Sequence, residues 1–396
     1  MKETKFKNTE IGEIPEDWEV RTINSFCSVK TGPFGSMLHA EDYVAKGTPI
    51  VTTEHFKNGI LPLVGKDIPQ VGIEDLKRMS SYTLTKDDIV FSRVGSVDIN
   101  ALVTVRQKGW LFSGRVLRVR PFKQTDSLYL HYGLLKHSVR SDIVSRAVGL
   151  TMASINTKIL GETELSLPPL NEQHRIASAL TSIDNLISSL GKLIEKKKNI
   201  KQGAMQQLLT GKTRLKGFNE PWVEKKLGEV CSVKRGVRVV KRNLTTDGLY
   251  PVYQNTNIPL GYSNQYNVEA NTPFVIIGGS AGQVGICRER YWAADDCAFF
   301  ACHDIYKEYL YYVLLLNQRN ILHNVRTGTI PRLDRTFLSG MLVYISSNIA
   351  EQQAIATILT KMDDEITTLE AKKAKYEAIK QGMMQQLLTG KLRLIS

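Results

Sequence analysis

Residues Asn171–Leu215, NEQHRIASALTSIDNLISSLGKLIEKKKNIKQGAMQQLLTGKTRL, recur 179 positions later at Ala350–Leu394 as AEQQAIATILTKMDDEITTLEAKKAKYEAIKQGMMQQLLTGKLRL. Of the 45 aligned positions 24 are identical, and Gln206–Lys212 is repeated as Gln385–Lys391. Identity at that level inside one chain marks an internal duplication. Apolar residues fall in the first copy at Ile176, Leu180, Ile183, Ile187, Leu190 and Ile194. In the second they fall at Ile355, Leu359, Met362, Ile366, Leu369 and Tyr376. Steps alternating between four and three put them on one helical face, the seam of a coiled coil. The pattern runs without proline, and each copy predicts a helix roughly 55 Å long, more than a small domain needs. An ordinary amphipathic helix packed on its own domain is the weaker reading.

Charge predicts how the two helices pair. The first carries Lys196, Lys197 and Lys198 near its C-terminal end, and the second carries Asp363, Asp364 and Glu365 near its N-terminal end. An antiparallel pair sets these runs side by side and brings Asp184 near Lys375. A parallel pair sets Lys196 against Lys375. Exposed ion pairs are individually weak, but they select orientation.

The chain has 396 residues, enough for two or three domains with real cores, and its 42% hydrophobic content is that of a globular protein. No apolar run approaches the length of a membrane span, so no membrane role is expected. The opening MKETKFKNTEIGEIPEDWEV lacks an apolar signal core, which predicts a cytoplasmic protein. Cys27, Cys231, Cys287, Cys297 and Cys302 read as buried thiols of a reducing compartment. Cys297 and Cys302-His303 are the sole close cluster, and no metal site is expected. The net charge of +13 favours a polyanionic partner. It divides as +3 over residues 1–167, +6 over 168–218, +3 over 219–345 and +1 over 346–396, so a nucleic-acid face on the larger segments must be local.

The duplication reaches beyond the helices. Trp18–Gly32, WEVRTINSFCSVKTG, matches Trp222–Gly236, WVEKKLGEVCSVKRG, at a shift of 204. Each half therefore opens on a Trp-led segment, passes through a variable body and closes on a long helix. The organisation is 1–167, 168–216, 217–345 and 346–396: two α/β (α+β) bodies, each followed by a helical segment, with a pseudo-twofold internal repeat. In the first body Thr48–Thr53, Asp88–Ser92 and Arg115–Arg120 read as strands, and Leu128–Val148 as a helix ended by Gly149. In the second, Tyr250–Tyr253, Phe274–Ile277 and Ala298–Cys302 read as strands, and Tyr309–Arg326 as a helix stopped at Gly328.

No catalytic constellation is legible. Gly211-Lys212-Thr213 has the tail of a phosphate-binding loop, but position 206 is Gln, and both Gly211 and Gly390 read as helix C-caps. Ser166-Leu167-Pro168-Pro169-Leu170 is not the catalytic loop of a DNA methyltransferase, and Asp364, Glu370 and Lys372 read as a solvated face. Candidates for DNA contact are better. Lys234, Arg235, Arg238, Lys241 and Arg242 form a basic cluster after the second Trp-led segment; Lys30, with Phe34 and Ser36 beyond it, is the first-half equivalent. Gln254, Asn255 and Asn257 can read base edges. The glycine loops Arg93–Ser96 and Gly278–Gly282, the latter holding Ser280, can bring backbone N–H groups to phosphate.

Two variable bodies alternate with two near-identical helices. Each helix starts at a Glu-Gln pair (Glu172-Gln173, Glu351-Gln352) and closes on Lys-Gln-Gly…Met-Gln-Gln-Leu-Leu-Thr-Gly-Lys. This chain resembles, over essentially its whole length, the specificity subunit of type I restriction–modification systems. The resemblance implies that each body is a target recognition domain reading one half of a bipartite, asymmetric double-stranded DNA site. It implies that the helices are spacer and docking surface for two modification (methyltransferase) subunits and for restriction subunits. S-adenosylmethionine, ATP and magnesium then belong to those partners, and this chain is a non-catalytic subunit without cofactor of its own. A rod near 55 Å corresponds to roughly 16 base pairs of duplex. The competing expectation is a coiled-coil scaffold that binds other proteins through two α/β heads and has no DNA role.

Overall fold

The computed structural model describes residues 4–33, 37–65, 67–149, 151–240, 242 and 244–395. The chain divides into two units, residues 1–189 with 373–396, and residues 190–372. Each holds one body together with the start of one long helix and the end of the other.

In the first unit a four-stranded antiparallel sheet has the order Cys27–Thr31, Val116–Pro121, Ile89–Ser92, Asn100–Leu102. All four residues of Ile89–Ser92 are buried. Ile89 and Phe91 join a core with Tyr129, Leu130 and Leu134, while Val90 joins another with Val51, Trp110 and Val116. The two-residue alternation of a strand thus serves two covered faces, and that is why this segment is apolar throughout rather than alternating. The second unit repeats the order with Cys231–Arg235, Cys297–Cys302, Pro273–Ile276 and Val284–Ile286. Val275 and Phe300 face one core there, and Phe274 and Ile276 another. A smaller sheet flanks each. Leu111–Phe112 runs parallel to Thr48–Val51 in the first unit, as Trp292–Ala293 runs parallel to Tyr250–Tyr253 in the second.

The strands expected near residues 48, 88, 115, 250, 274 and 298 are present, Tyr250–Tyr253 with the expected bounds and the others with ends within two residues of them. The two mid-body helices differ from expectation. Leu128–Val148 is two helices, Ser127–Leu134 and His137–Ser145, because Lys136 takes an extended conformation that lets Leu134 and Val139 enter the same core. Tyr309–Arg326 is likewise Lys307–Leu316 and Gln318–His323. The break at Asn317 frees Gln318 to donate to the Gly282 carbonyl (2.5 Å) and accept from Val284 N–H (3.3 Å). Gly149 and Gly328 do not stop these helices; they lie in the hairpins that follow.

The long helices span Leu170–Leu208 and Ile349–Leu387, 39 residues each. Beyond their ends Gly211 (φ 68°) and Gly390 (φ 71°) adopt the left-handed conformation of a C-cap. Their Glu-Gln starts now have a physical reason. Glu172, 2% exposed, accepts from Trp18 Nε1 (3.1 Å), from Arg393 Nε and Nη2 (2.8 Å each) and from Leu394 N–H (3.2 Å). In the second unit Glu351, fully buried, accepts from Trp222 Nε1 (3.2 Å), from Arg214 Nε and Nη2 (2.7 and 2.9 Å) and from the Ser346 hydroxyl (2.5 Å). A buried carboxylate persists when paired and hydrogen-bonded, and here the pair ties a helix start, a Trp-led segment and the tail of the other helix together. Gln173 and Gln352 accept from Asp126 and Tyr306 N–H (2.9 and 2.8 Å), and both donate to the backbone just before the helix (2.8 Å).

Of the seam residues, Ile176, Leu180, Ile183, Leu190, Ile194, Ile355, Leu359 and Ile366 are buried, and Ile187, Met362, Leu369 and Tyr376 half-buried. Ile176 and Leu180 belong to the first body's core with Leu387 and Leu388, and Ile355 and Leu359 to the second's with Met205 and Leu208. Ion pairs run between the helices: in the second unit Lys197–Glu365 (2.6 Å), Lys198–Glu370 (2.7 Å) and Lys201–Asp363 (2.5 Å), in the first Lys380–Asp184 (2.6 Å). Asp184 takes Lys380, more than a helical turn beyond the expected Lys375. The register follows the buried carboxylate anchors and Tyr132, whose hydroxyl also donates to Asp184 (2.7 Å), rather than the exposed charges. Asp364 turns to Arg288 (2.6 Å).

Candidate nucleic-acid interface

The basic segment of the second body begins on the edge strand Cys231–Arg235, where Lys234 and Arg235 are exposed. It leaves the sheet at Gly236, where a Cβ would sit 2.2 and 2.3 Å from the Ala294 and Ala293 carbonyl oxygens, so no other residue fits. Gly32 makes the same approach to Ser113. Val237 is then held by its N–H on Ala293 O (2.9 Å) and by Trp292 Nε1 on its own carbonyl (2.8 Å). This pins the start of a stretch on which Arg238 and Arg242 are exposed. Lys241 lies outside the described residues, as do Phe34 and Ser36.

Arg235 donates through Nε to Asp295 O (2.7 Å). The adjacent Asp296 carboxylate lies over Gly278 and pairs with Arg332 (3.0 Å). Next along that loop Ser280 N–H donates to Asn255 O (2.9 Å), and Gly279 stands so close to Asn255 that a Cβ would fall 2.8 Å from its own. Asn257 N–H meets Gln283 Oε1 (3.3 Å). One surface therefore collects exposed Arg235, Asn255 and Asn257 with half-buried Gln254 and Ser280 around the glycine loop. Asp296 and Arg332 complete it. Neither was singled out in the sequence, because an isolated Asp and Arg carry no local pattern; pairing of the Gly278 loop with residues 331–333 is what joins them.

The first-body candidates are bound more tightly into the fold. Lys30 donates to Ser81 O (3.0 Å) and sits 4.3 Å from the Tyr82 ring centroid. Burial, with Arg118 and Arg120 nearby, holds its ammonium below the usual lysine range. Arg93 donates to the Gly114 and Ile155 carbonyls (2.9 and 3.2 Å), bracing the loop it begins. Ser96 is exposed, and its carbonyl accepts from the Ser92 hydroxyl. Lys30 and Arg93 thus position backbone in this structure.

Burial pushes the Cys231 and Cys302 thiols up to about 12. Among the described residues no three His, Cys, Asp or Glu side chains gather as metal ligands, and no helix is long and apolar enough to cross a membrane.

Two mixed α/β bodies built on one strand order, each tied by a buried carboxylate to a long helix, define an internally duplicated protein. The sequence profile described as the type I restriction modification DNA specificity domain matches residues 15–202 and 219–381, and the chain belongs to that family. It is 27% identical over 437 residues to the type I restriction enzyme MjaVIII specificity subunit of Methanocaldococcus jannaschii, covering 99% of this chain and 97% of that one. A shorter match, 23% identical over 270 residues, relates 65% of it to 60% of the MjaIX specificity subunit of the same organism. The crystal structure of a type I restriction–modification S subunit from M. genitalium superposes with a TM-score of 0.69 at 19% identity, covering 93% of this chain and 96% of that one. A chain from a study of complex assembly and conformational transition in a type I system superposes with a TM-score of 0.53 at 14% identity, covering 96% and 99%.

Proposed function

We propose that this chain is the non-catalytic, sequence-reading subunit of a type I restriction–modification complex and recognises a bipartite, asymmetric DNA site. The observation that carries the reading is the glycine-loop surface of the second body. Arg235 and Arg332 supply positive charge there, beside the exposed side-chain amides of Asn255 and Asn257. Positioning on phosphate with amide readout of base edges is how such a surface recognises duplex. The different bodies read different half-sites. The long helices pair as an antiparallel coiled coil, supported by the Lys197–Glu365 and Lys380–Asp184 pairs, and their length sets the spacer. They also dock two modification subunits and the restriction subunits. S-adenosylmethionine, ATP and magnesium reside on those partners, and the complex works in the cytoplasm.

The test is to map methylated adenines in DNA from cells carrying the assembled system. Residues 217–345 are then exchanged for the corresponding body of a related chain. One half-site should change and the other persist; a change in both at once sinks the modular reading.

A further inference from the structure

The glycine loop of each body is held by a second loop, and the pair is built identically in the two halves. In the first body Gly95 N–H donates to Ala153 O (2.8 Å) and Ile155 N–H to Arg93 O (2.9 Å). In the second, Gly279 N–H donates to Pro331 O (3.2 Å) and Leu333 N–H to Ile277 O (3.0 Å). The second loop is itself a narrow hairpin closed by two reciprocal bonds. These join Val148 and Ser154 (2.9 and 2.8 Å) in one half, and Arg326 and Arg332 (2.8 and 3.0 Å) in the other. All four bonds are main-chain bonds, so the geometry is kept while the side chains differ: VGLTMAS against RTGTIPR.

What the hairpins present is also alike. Val148, Gly149, Thr151 and Met152 are exposed on one, and Arg326–Ile330 on the other, with Met152 59% and Ile330 55% exposed. Neither hairpin contains an acidic residue. The second abuts the Asn255–Ser280 surface through Gly279 and through the Arg332–Asp296 pair.

An element that reads bases must differ between two bodies that read different half-sites. An element whose backbone is common to both, and which carries an exposed Thr and large apolar residue at matching positions (Thr151-Met152, Thr329-Ile330), is suited to contact something common to both half-sites. From this we infer that the hairpins 148–154 and 326–332 are duplex anchors that do not read sequence. The Thr151, Thr327 and Thr329 hydroxyls meet phosphate oxygens, and Met152 and Ile330 lie against deoxyribose. Such contacts fix register and orientation without carrying sequence information. The inference rests on the DNA-recognition reading above and adds to it which loops grip and which read.

Two variants of the full chain, assembled with its modification subunits, test it on a duplex carrying the mapped site and on one carrying neither half-site. In T327A/T329A/I330A, affinity should fall about tenfold on both duplexes alike, leaving their ratio unchanged. The exchange variant, with residues 148–154 and 326–332 swapped within the chain, should methylate the same sequence as the parent. The three side chains of the alanine variant are exposed and the hairpin bonds are main-chain, so its melting temperature should hold and confirm folding, while methylation by the exchange variant reports its own fold. A changed ratio, or a new methylated sequence after the swap, overturns the inference, because the hairpins then read bases. Retained DNA affinity with lost assembly of the modification subunits also overturns it, by making the hairpin a protein contact. If the parent complex itself prefers no duplex, the DNA-recognition reading falls, and the inference with it.

Discussion

Arg393→Ala should be among the most damaging single substitutions available in the first unit. The Arg393 side chain is 9% exposed and bonds both oxygens of Glu172, a carboxylate 2% exposed. Those bonds, with a bidentate contact to Asp17 (2.9 and 2.6 Å), push the guanidinium above its ordinary range. Removing it leaves Glu172 charged and buried with two neutral donors, Trp18 Nε1 and Leu394 N–H. Breaking a buried pair this way costs about 3–5 kcal/mol. The half-exposed Asp17 contact adds about 0.2–1 kcal/mol. Against a net stability of about 5–15 kcal/mol for a domain, the first unit would be left marginal or unfolded. Urea denaturation followed by hydrogen exchange should place the loss in residues 1–189 and 373–395 and spare the second unit. Adding Glu172→Gln removes the stranded charge, so the double variant should be less destabilised than the two single losses summed, with a coupling above about 1 kcal/mol. A loss under about 1 kcal/mol for Arg393→Ala would refute the reasoning, since the carboxylate would then have found water or another cation.

Ile366→Asp places a carboxylate where the side chain is 6% exposed and should cost about 2–5 kcal/mol, read as a lowered denaturation midpoint. Arg235→Ala should weaken binding to all DNA sequences and flatten the salt dependence by about one unit of slope; relaxed preference at a single base would make Arg235 a reader instead. His131 is held down to about 4, chiefly by burial and then by Lys380, with Asp184 opposing. The unfolded chain therefore binds a proton that the folded one refuses between pH 6.5 and about 4, so stability should be full above that window and fall through it on acidification. His131→Gln should flatten that part of the pH–stability curve; an unchanged slope assigns it to other groups.

The long helices were legible because a period of 3.5 over many turns is a strong signal, and duplication states it twice. The central strands were legible as short apolar runs. The helix breaks at Lys136 and Asn317 were not, because neither has proline or glycine at the break and both are imposed by packing. The Lys196–Lys198 run does meet the acidic run, through Lys197–Glu365, but the partner of Asp184 was misplaced for a similar reason. The sequence offered exposed charges, whereas the Trp and Arg contacts of Glu172 and Glu351 join residues between 129 and 221 positions apart. Of the candidate contact residues, Arg235, Gln254, Asn255, Asn257 and Ser280 gather around the Gly278 loop. Lys30 and Arg93 instead serve the backbone, a distinction that charge alone cannot make.

The carboxylate anchors also have a bearing on how the chain is made. The second unit is one continuous stretch, 190–372, but the first is completed only by residues 373–396, among them Arg393. At ribosomal rates of about 5–20 residues per second, the first body waits roughly 10–40 s after its own last residue appears before its closing arginine is made. The unit that begins the chain is thus completed by residues synthesised after the whole of the second unit. A chain that stops before Leu387 leaves Glu172 without Arg393 and the first core without Leu387 and Leu388. Such a fragment exposes apolar surface of the first core to proteolysis.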